Sequence, residues 1–290
     1  MPYYFFCLII FLLGCEKSRT PAPVDLPNDL EVEACLIGVS SDTFEIMTWN
    51  AERFPLDGDF SISQIQKIIS KQDPDLIAFQ EITSKTVFDK LADSLEEWKS
   101  QLLISGDLNL GFLYKTSEVS IIENINPILE GNLYALPRAP VKLVAKHRDG
   151  IEVNLINIHL KCCGGMENIA RRDSASRLIK DYIDENLNAE PVILLGDYND
   201  LIYGHPDNEN PFSNFIEDEE NYVFTDMEIA MGNRQYWSYP GWPSHIDHIL
   251  ISDELFDLWA GTTTVTYDIC DDRYFKYISD HRPLIIKLVN

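Results

Sequence analysis

Basic residues are scarce in this chain of 290 residues: Lys and Arg number 23 against 47 Asp and Glu, a formal net charge of −24. That imbalance excludes a broad basic surface gripping a polynucleotide backbone without regard to sequence. A local positive cleft stays open, because Arg53, Arg138, Lys142, Lys146, Lys161, Arg171 and Arg172 lie near the polar segments described below. Long apolar runs are missing too. The unbroken run Tyr3 to Leu13 has 11 residues, whereas a transmembrane helix needs about 20. Cysteine is sparse, with six in all and no paired C-x₂-C element of the kind zinc sites show. There is no internal repeat, no low-complexity tract and no linker after residue 44, so 44–290 reads as one domain of ordinary size.

The short run at the start has the length of a signal-peptide core. Leu12-Leu13-Gly14-Cys15 resembles a bacterial lipobox, which implies cleavage before Cys15 and acylation of that residue. Residues 1–15 are then a lipoprotein-type signal and 16–43, with Pro21, Pro23 and Pro27, a tether. The expected location is the cell envelope or exterior, with the membrane as a partner through the lipid anchor and the protein a monomer. No Lys or Arg precedes the apolar run, which departs from the usual pattern; a plain secretory signal is the alternative. In an oxidising compartment Cys35, Cys162, Cys163 and Cys270 permit two disulfides, with the vicinal pair each reaching outward.

What is present is a recurrent pattern of apolar runs that end in polar residues. Phe44–Met47 leads into Thr48-Trp49-Asn50, and Leu76–Phe79 into Gln80-Glu81. Val153–Ile156 leads into Asn157-Ile158-His159, Val192–Leu195 into Gly196-Asp197-Tyr198-Asn199, and Tyr274–Ile278 into Ser279-Asp280-His281. Apolar runs bury as strands, so their polar ends emerge together at one sheet rim. Helix-spaced apolar residues predict helices over Ile62–Lys71, Ser84–Trp98 and Ala170–Leu187. Further strands are expected at 101–104, 111–115, 119–123, 141–145, 247–251, 263–267 and 284–288. Strands with helices between them give an α/β class of two packed sheets flanked by helices.

Each polar segment has a plainer reading. Gly-Asp-Tyr-Asn is rich in turn formers, and Glu81 suits a cap for the helix after it. Asp197 and Asn199 share a face if the strand continues. Asp247 can supply the carboxylate that holds the tautomer of His281. Tyr236, Trp237, Tyr239 and Trp242 are expected either to stack on bases or sugar rings or to pack in the core.

Taken together and in this order, Trp49-Asn50, Gln80-Glu81, Pro137-Arg138, Asn157-Ile-His159-Leu-Lys161, Gly196-Asp197-Tyr-Asn199, Ser244-His-Ile-Asp247 and Ser279-Asp280-His281 resemble the endonuclease/exonuclease/phosphatase superfamily. That superfamily includes deoxyribonuclease I, abasic-site endonucleases, sphingomyelinases and inositol polyphosphate 5-phosphatases. The resemblance implies a four-layer α/β sandwich and Mg²⁺-dependent hydrolysis of phosphate esters, with Mn²⁺ or Ca²⁺ as possible substitutes. It implies Asn50, Glu81 and Asp280 at the metal, and Asp247 with His281 as a carboxylate–imidazole pair. Asp197 would orient or deprotonate water, Asn199 bind the scissile phosphate and His159 stabilise charge, while Arg138 and Lys161 contact substrate. DNA or RNA is the first expectation for the substrate; small or lipid esters (inositol phosphate, sphingomyelin-like, nucleotide) are the alternative, and an inactive binding module the third. The pattern departs from the family at His245, where Arg is common, and at Cys162-Cys163.

Overall fold

The computed structural model describes residues 43–205, 209–259, 261, 265–266 and 273–290. Among the described residues twelve strands form two six-stranded mixed sheets. The first carries β1 (Phe44–Phe54), β2 (Leu76–Ile82), β3 (Trp98–Leu103), β4 (Asn109–Lys115), β11 (Val265–Thr266) and β12 (Leu284–Leu288), ordered β11-β12-β1-β2-β4-β3. The second carries β5 (Val119–Pro127), β6 (Val141–His147), β7 (Glu152–His159), β8 (Val192–Asp197), β9 (Tyr222–Phe224) and β10 (Asp247–Ser252), ordered β5-β6-β7-β8-β10-β9. Helices α1 (Gly58–Gln72), α2 (Lys85–Asp93) and α3 (Met166–Asn186) cover the outer faces, and α4 (Ser213–Ile216), α5 (Met227–Met231) and α6 (Tyr274–Tyr277) are short turns.

The layers follow from side-chain alternation along strands buried on both faces. Phe44, Ile46, Leu76, Ala78, Phe112, Leu155, Ile193 and Ile249 meet between the sheets. Met47, Trp49, Ile77 and Phe79 point the other way and pack on Ile65, Ile69, Phe88 and Leu91 of α1 and α2. Ile156, Ile158, Val192 and Leu194 pack likewise on Ala175, Ile179 and Ile183 of α3. The result is helix, sheet, sheet, helix, as expected from the sequence.

The central strands run parallel in pairs, which brings their carboxyl ends to one rim. In β1 and β2, Asn50 stands opposite Gln80. In β7 and β8, His159 stands opposite Asp197. Gly196 makes the second pairing possible: a Cβ there would lie 2.1 Å from the carbonyl oxygen of Ile158, and its φ of +142° is open to glycine. Beneath the rim, Gln80 Nε2 donates to Thr48 Oγ1 (3.0 Å) and Asn157 Oδ1 (2.8 Å), while Asn157 Nδ2 donates to the carbonyls of Phe79 and Gly111 (3.0 and 3.1 Å). This buried strut joins the sheets, so Gln80 and Asn157 support the rim from below.

Three local expectations are corrected. Tyr274–Ile278 is not a strand but the single helical turn α6, because Tyr274 turns into the cluster with Trp49 while Asp280 and His281 return to the rim. Helix α2 stops at Asp93, and Trp98 opens β3, its indole closing the core against α2. The strand expected over 263–267 is β11, of two described residues. Cys15, Cys35 and Cys270 lie outside the described residues; Cys162 and Cys163 are free and exposed. Among the described residues no helix is long and apolar enough to cross a membrane.

Candidate active site

Asn50, at the rim end of β1, is the hub. Its amide donates to Asp197 Oδ2 at 2.9 Å and to Glu81 Oε1 at 3.3 Å, and its Oδ1 accepts from the Glu52 N–H at 3.0 Å. Glu81 ends β2 with φ +64°, and its second oxygen accepts from the Arg53 N–H at 3.1 Å. The helix-cap reading of Glu81 does not hold: Ser84 caps α2, accepting from Val87 N–H. The His159 Nε2 approaches Asp197 Oδ2 at 3.5 Å and Glu81 Oε1 at 3.7 Å. His281 Nδ1 pairs with Asp247 Oδ2 at 2.7 Å, while its Nε2 lies 3.9 Å from Asp197 Oδ2 and 3.8 Å from Asp280 Oδ1. Ser279 Oγ donates to the Asn50 carbonyl (2.7 Å) and accepts from the His281 N–H (3.0 Å), fastening the last loop to the first strand.

Asn199 arrives by a different route from the one expected. The strand ends at Asp197, and Asn199 turns into a left-handed conformation (φ +56°) with its N–H on Asp197 Oδ1 at 2.8 Å. The turn reading of Gly-Asp-Tyr-Asn therefore holds, and the turn still leaves Asp197 and Asn199 in the pocket lining. Its amide donates to the Leu160 carbonyl at 3.3 Å.

Arg138 and Lys161 stand beside the pocket rather than in its lining. Arg138 donates to the His159 carbonyl at 3.3 Å, and the Lys161 ammonium turns back to the Cys162 carbonyl at 3.2 Å. Of the other basic residues near the segments, Lys142 pairs with Glu123 (2.7 Å) and Lys146 with Glu152 (3.6 Å). His245 is sealed below the surface on Asp226 and does not reach the pocket.

Several pocket residues had no motif to point them out. Glu52 accepts the Asp280 N–H at 2.9 Å and holds that loop. Asp200 takes Arg172 in a two-pronged pair (2.8 and 2.7 Å), and the same guanidinium donates to the carbonyls of Lys161 and Cys163 (2.7 and 2.9 Å). The Arg-Arg pair opening α3 was the signal for that clamp. His205 Nε2 lies 3.2 Å from Asp200. Tyr239 packs on the His281 ring at 4.9 Å, and Trp242 is 78% exposed at the lip.

The electrostatics are those of crowded acids. Burial pushes Glu52 above the ordinary carboxylate range, with the negative charge of Asp280 adding to it. Burial also raises Asp280, with Glu81 adding and His281 opposing. Asp197 reaches about 7 through burial, with His281 opposing and Asp247 adding. Burial would lower His281, but Asp247 and then Asp197 outweigh it and lift its pKa to about 10. Burial, Arg138 and His281 hold His159 well below the ordinary imidazole range, so it stays neutral.

These groups, with the two sheets behind them, define a hydrolase-type centre of carboxylates, amides and imidazoles at the end of an α/β sandwich. The sequence model of the Endonuclease/Exonuclease/phosphatase family matches residues 47–281, and the chain belongs to that family, whose enzymes depend on a divalent metal. By sequence, no curated protein matches the chain. By structure it is similar to the human Nocturnin catalytic domain with bound sulfate anion, at 16% identity and a TM-score of 0.62 over 85% of this chain and 94% of that one. It is also similar to the mannosyl-6-phosphatase of Bacteroides thetaiotaomicron VPI-5482, at 17% identity and a TM-score of 0.61 over 85% and 100% of the two chains. A third similar structure is D. rerio TDP2 complexed with a single-strand DNA product, at 14% identity and a TM-score of 0.62 over 86% and 99%.

Do the residues fit a divalent cation? Glu81 and Asp280 bring carboxylates to the half-open mouth, with Asn50 beside them and Glu52 adding a further negative charge. These crowded carboxylate oxygens suit a hard cation that keeps some water; Asn50 turns its NH2 to Glu81 and its Oδ1 to the Glu52 N–H, and would offer an oxygen to a metal by rotating its amide.

Proposed function

We propose that this chain hydrolyses small phosphate esters, using Mg²⁺ held by Glu81, Asp280 and Asn50. The observation that carries the choice of substrate is the pocket itself. It is a cavity of about 730 Å³, the size that encloses a small ligand. Glu52, Glu81, Asp197, Asp200 and Asp280 line it against Arg53, Arg172 and the charged His281, of which Arg172 is paired with Asp200 and His281 with Asp247. A nucleic-acid strand needs cations spaced along a groove, whereas Lys142 and Lys146 are paired with Glu123 and Glu152 and the Lys161 ammonium rests on Cys162. The substrate expectation therefore moves from polymer to monomer.

Mg²⁺ bound there supplies Lewis-acid polarisation of a phosphoryl oxygen. The protein's own residues supply the proton handling and the positioning. Asp197, with a pKa near neutrality, takes the proton of the attacking water while Asn50 and the Asn199 N–H fix its two oxygens. His159, neutral, offers Nε2–H to the phosphoryl oxygens without competing for that proton. His281, charged and held by Asp247, stabilises negative charge gathering on the ester. Trp242 at the lip gives the ring of a sugar or base a face to lie on.

Trp242 also favours a second reading, in which a flexible single strand threads only its end into the pocket. One panel separates the two. Sugar phosphates, nucleotides, inositol phosphates, single-stranded oligonucleotides and plasmid are incubated with Mg²⁺ or with chelator, using Glu81→Ala as control. Phosphate release from monomers, lost with chelator and in Glu81→Ala, is expected. Strand cleavage that outpaces monomer hydrolysis would replace the first reading with the second. At the N-terminus, the lipobox-like Leu12–Cys15 supports tethering at a cell envelope, to be checked by labelling with a palmitate analogue and by its loss in Cys15→Ala.

A further inference from the structure

The opposite ends of β1 and β2, about 20 Å along the strands from the catalytic rim, hold a second set of titratable groups. His147 closes β6, is 2% exposed, and stacks on Phe44 at 4.7 Å. Its Nε2 is buried without a hydrogen-bond partner. Yet Glu118 Oε2 stands 3.8 Å away and Asp75 Oδ2 3.9 Å away, just beyond hydrogen-bond reach. A buried ring nitrogen facing two carboxylates across such gaps needs an explanation.

We propose that Asp75, Glu118 and His147 bind a divalent transition-metal ion, Zn²⁺ by preference. Tetrahedral ligands at about 2.0–2.2 Å from zinc stand roughly 3.3–3.6 Å apart, so the two gaps to His147 close by a few tenths of an ångström, and the three ligand atoms already lie within 4.8 Å of one another. One imidazole with two carboxylates favours zinc over magnesium. The surroundings are built for a ligating histidine as well. Asp149 Oδ2 lies 3.4 Å from His147 Nδ1, which accepts the Asp149 N–H at 3.4 Å; with a metal on Nε2 the proton would move to Nδ1 and that carboxylate would be the group to accept it. The other facing charges leave room for it. Arg148 holds Glu118 (Nε–Oε2 2.9 Å), Lys115 sits 3.9 Å from Asp75 Oδ1 but 2.6 Å from Asp73, the Glu45 N–H donates to Asp75 Oδ2 at 2.9 Å, and the Glu45 carboxyl, pushed up to about 8 by burial, hydrogen-bonds Asp75 as well. Each carboxylate keeps lone pairs toward His147. Asp75 precedes a strand of the first sheet, whereas Glu118 and His147 flank strands of the second. The ion would pin the two sheets together at the end away from the chemistry.

The test uses full-length protein stripped with chelator, carrying Glu81→Ala to silence the catalytic centre, in excess Mg²⁺ with Zn²⁺ added. One tightly held zinc per chain by elemental analysis after gel filtration, and a melting temperature that rises with zinc, are expected. Adding His147→Gln removes both. Should that variant fail to fold, Glu118→Gln at the edge of the cluster weakens zinc binding by about 100-fold or more. With Glu81 intact, His147→Gln keeps Mg²⁺-dependent phosphate release. Zinc that stays bound in His147→Gln and Glu118→Gln, or no zinc in the parent, overturns the proposal.

Discussion

Strand β10 carries Asp247 and His248 side by side, and they belong to two centres of nearly the same chemistry. Asp247 pairs with His281 of the pocket lining; His248 faces the other way and, with His245, pairs with Asp226. The sealed centre is complete. Asp226 Oδ2 takes His245 Nε2 at 2.9 Å and His248 Nδ1 at 2.6 Å, and its Oδ1 takes the Ile249 N–H at 3.1 Å. His245 Nδ1 accepts from the Ser238 N–H at 3.2 Å, and His248 Nε2 meets the Asp200 carbonyl at 2.9 Å. The pocket centre is incomplete: Asp247 Oδ1 and His159 Nδ1 are buried without partners. Saturated networks rigidify a core; in the pocket lining, His159 Nε2 and His281 Nε2 have no carboxylate nearer than 3.5 Å and keep capacity for a substrate. The sealed centre also serves the open one, since Ser238 both caps His245 and accepts the Asp247 N–H at 3.1 Å, fixing where Asp247 stands.

Substitution at the two aspartate–histidine sets tests this division, and the largest effect is expected at the mouth. His281→Ala removes a group that holds charge in the reaction. Its kcat/KM should fall by about 10² to 10⁴, while water entering the pocket solvates Asp247 and limits the stability loss to about 1–3 kcal/mol. Phosphate release and urea denaturation on the same sample check both. Equal loss of fold and activity would remove the distinction between the centres.

Asp226→Asn should invert the pattern. No water reaches the two imidazoles, so taking away the charge between them should cost about 3–5 kcal/mol. The fraction that folds should keep kcat within about tenfold, read from burst-free initial rates normalised to folded protein.

The same centre sets a pH window. Burial pushes the Asp226 pKa up, but His248 and His245 outweigh it and hold it well below the ordinary carboxylate range. A depressed acid stabilises the fold above its unfolded pKa near 4 and loses that contribution as pH falls toward the folded value. For His248 burial pulls the pKa down, and the charge of Asp226 outweighs it and leaves it raised. That contribution is present below an unfolded pKa of about 6.5 and fades as pH rises through the folded one. Denaturation midpoints should therefore drop steeply below about pH 4 and decline above neutrality, where His281, lifted to about 10, adds a slope of its own, and Asp226→Asn should lessen both slopes. Parallel curves for the two proteins would count against the assignment.

How far the sequence foretold this depends on which interactions are local. Apolar runs ending in Asn50, Glu81, His159 and Asp197 were legible because a strand buried on both faces forces its polar end outward. Asn199 was found through the wrong geometry, since an Asx turn and a continuing strand both leave the same residues near each other. Tyr274–Ile278 misled because five largely apolar residues read as strand or helix alike; Trp49 across the core decides, through its stack on Tyr274 at 6.4 Å. Lys161 was placed in the pocket by its spacing from His159, but the strand ends at His159 and the ammonium rests on Cys162 at the pocket's edge instead of in its lining. Asp226, Glu52 and Asp200 had no motif, because what recruits each is a partner distant in sequence: His245, Asp280 and Arg172.

The smallest effect belongs to the lip, where neither centre reaches. Trp242 is solvent-exposed and holds nothing in place, so Trp242→Ala should leave the melting curve unchanged. If its indole lies under the ring of a sugar or base, stacking worth about 1–3 kcal/mol is lost from bound substrate and transition state alike. KM then rises by about fivefold to 100-fold while kcat holds. Trp242→Phe should restore most of the affinity, because a second aromatic face replaces the first. A substrate without a ring, such as glycerol phosphate, should show no change at all. Loss of kcat instead would place Trp242 among the groups that position the ester, and equal losses for ring and ringless substrates would remove stacking as its role.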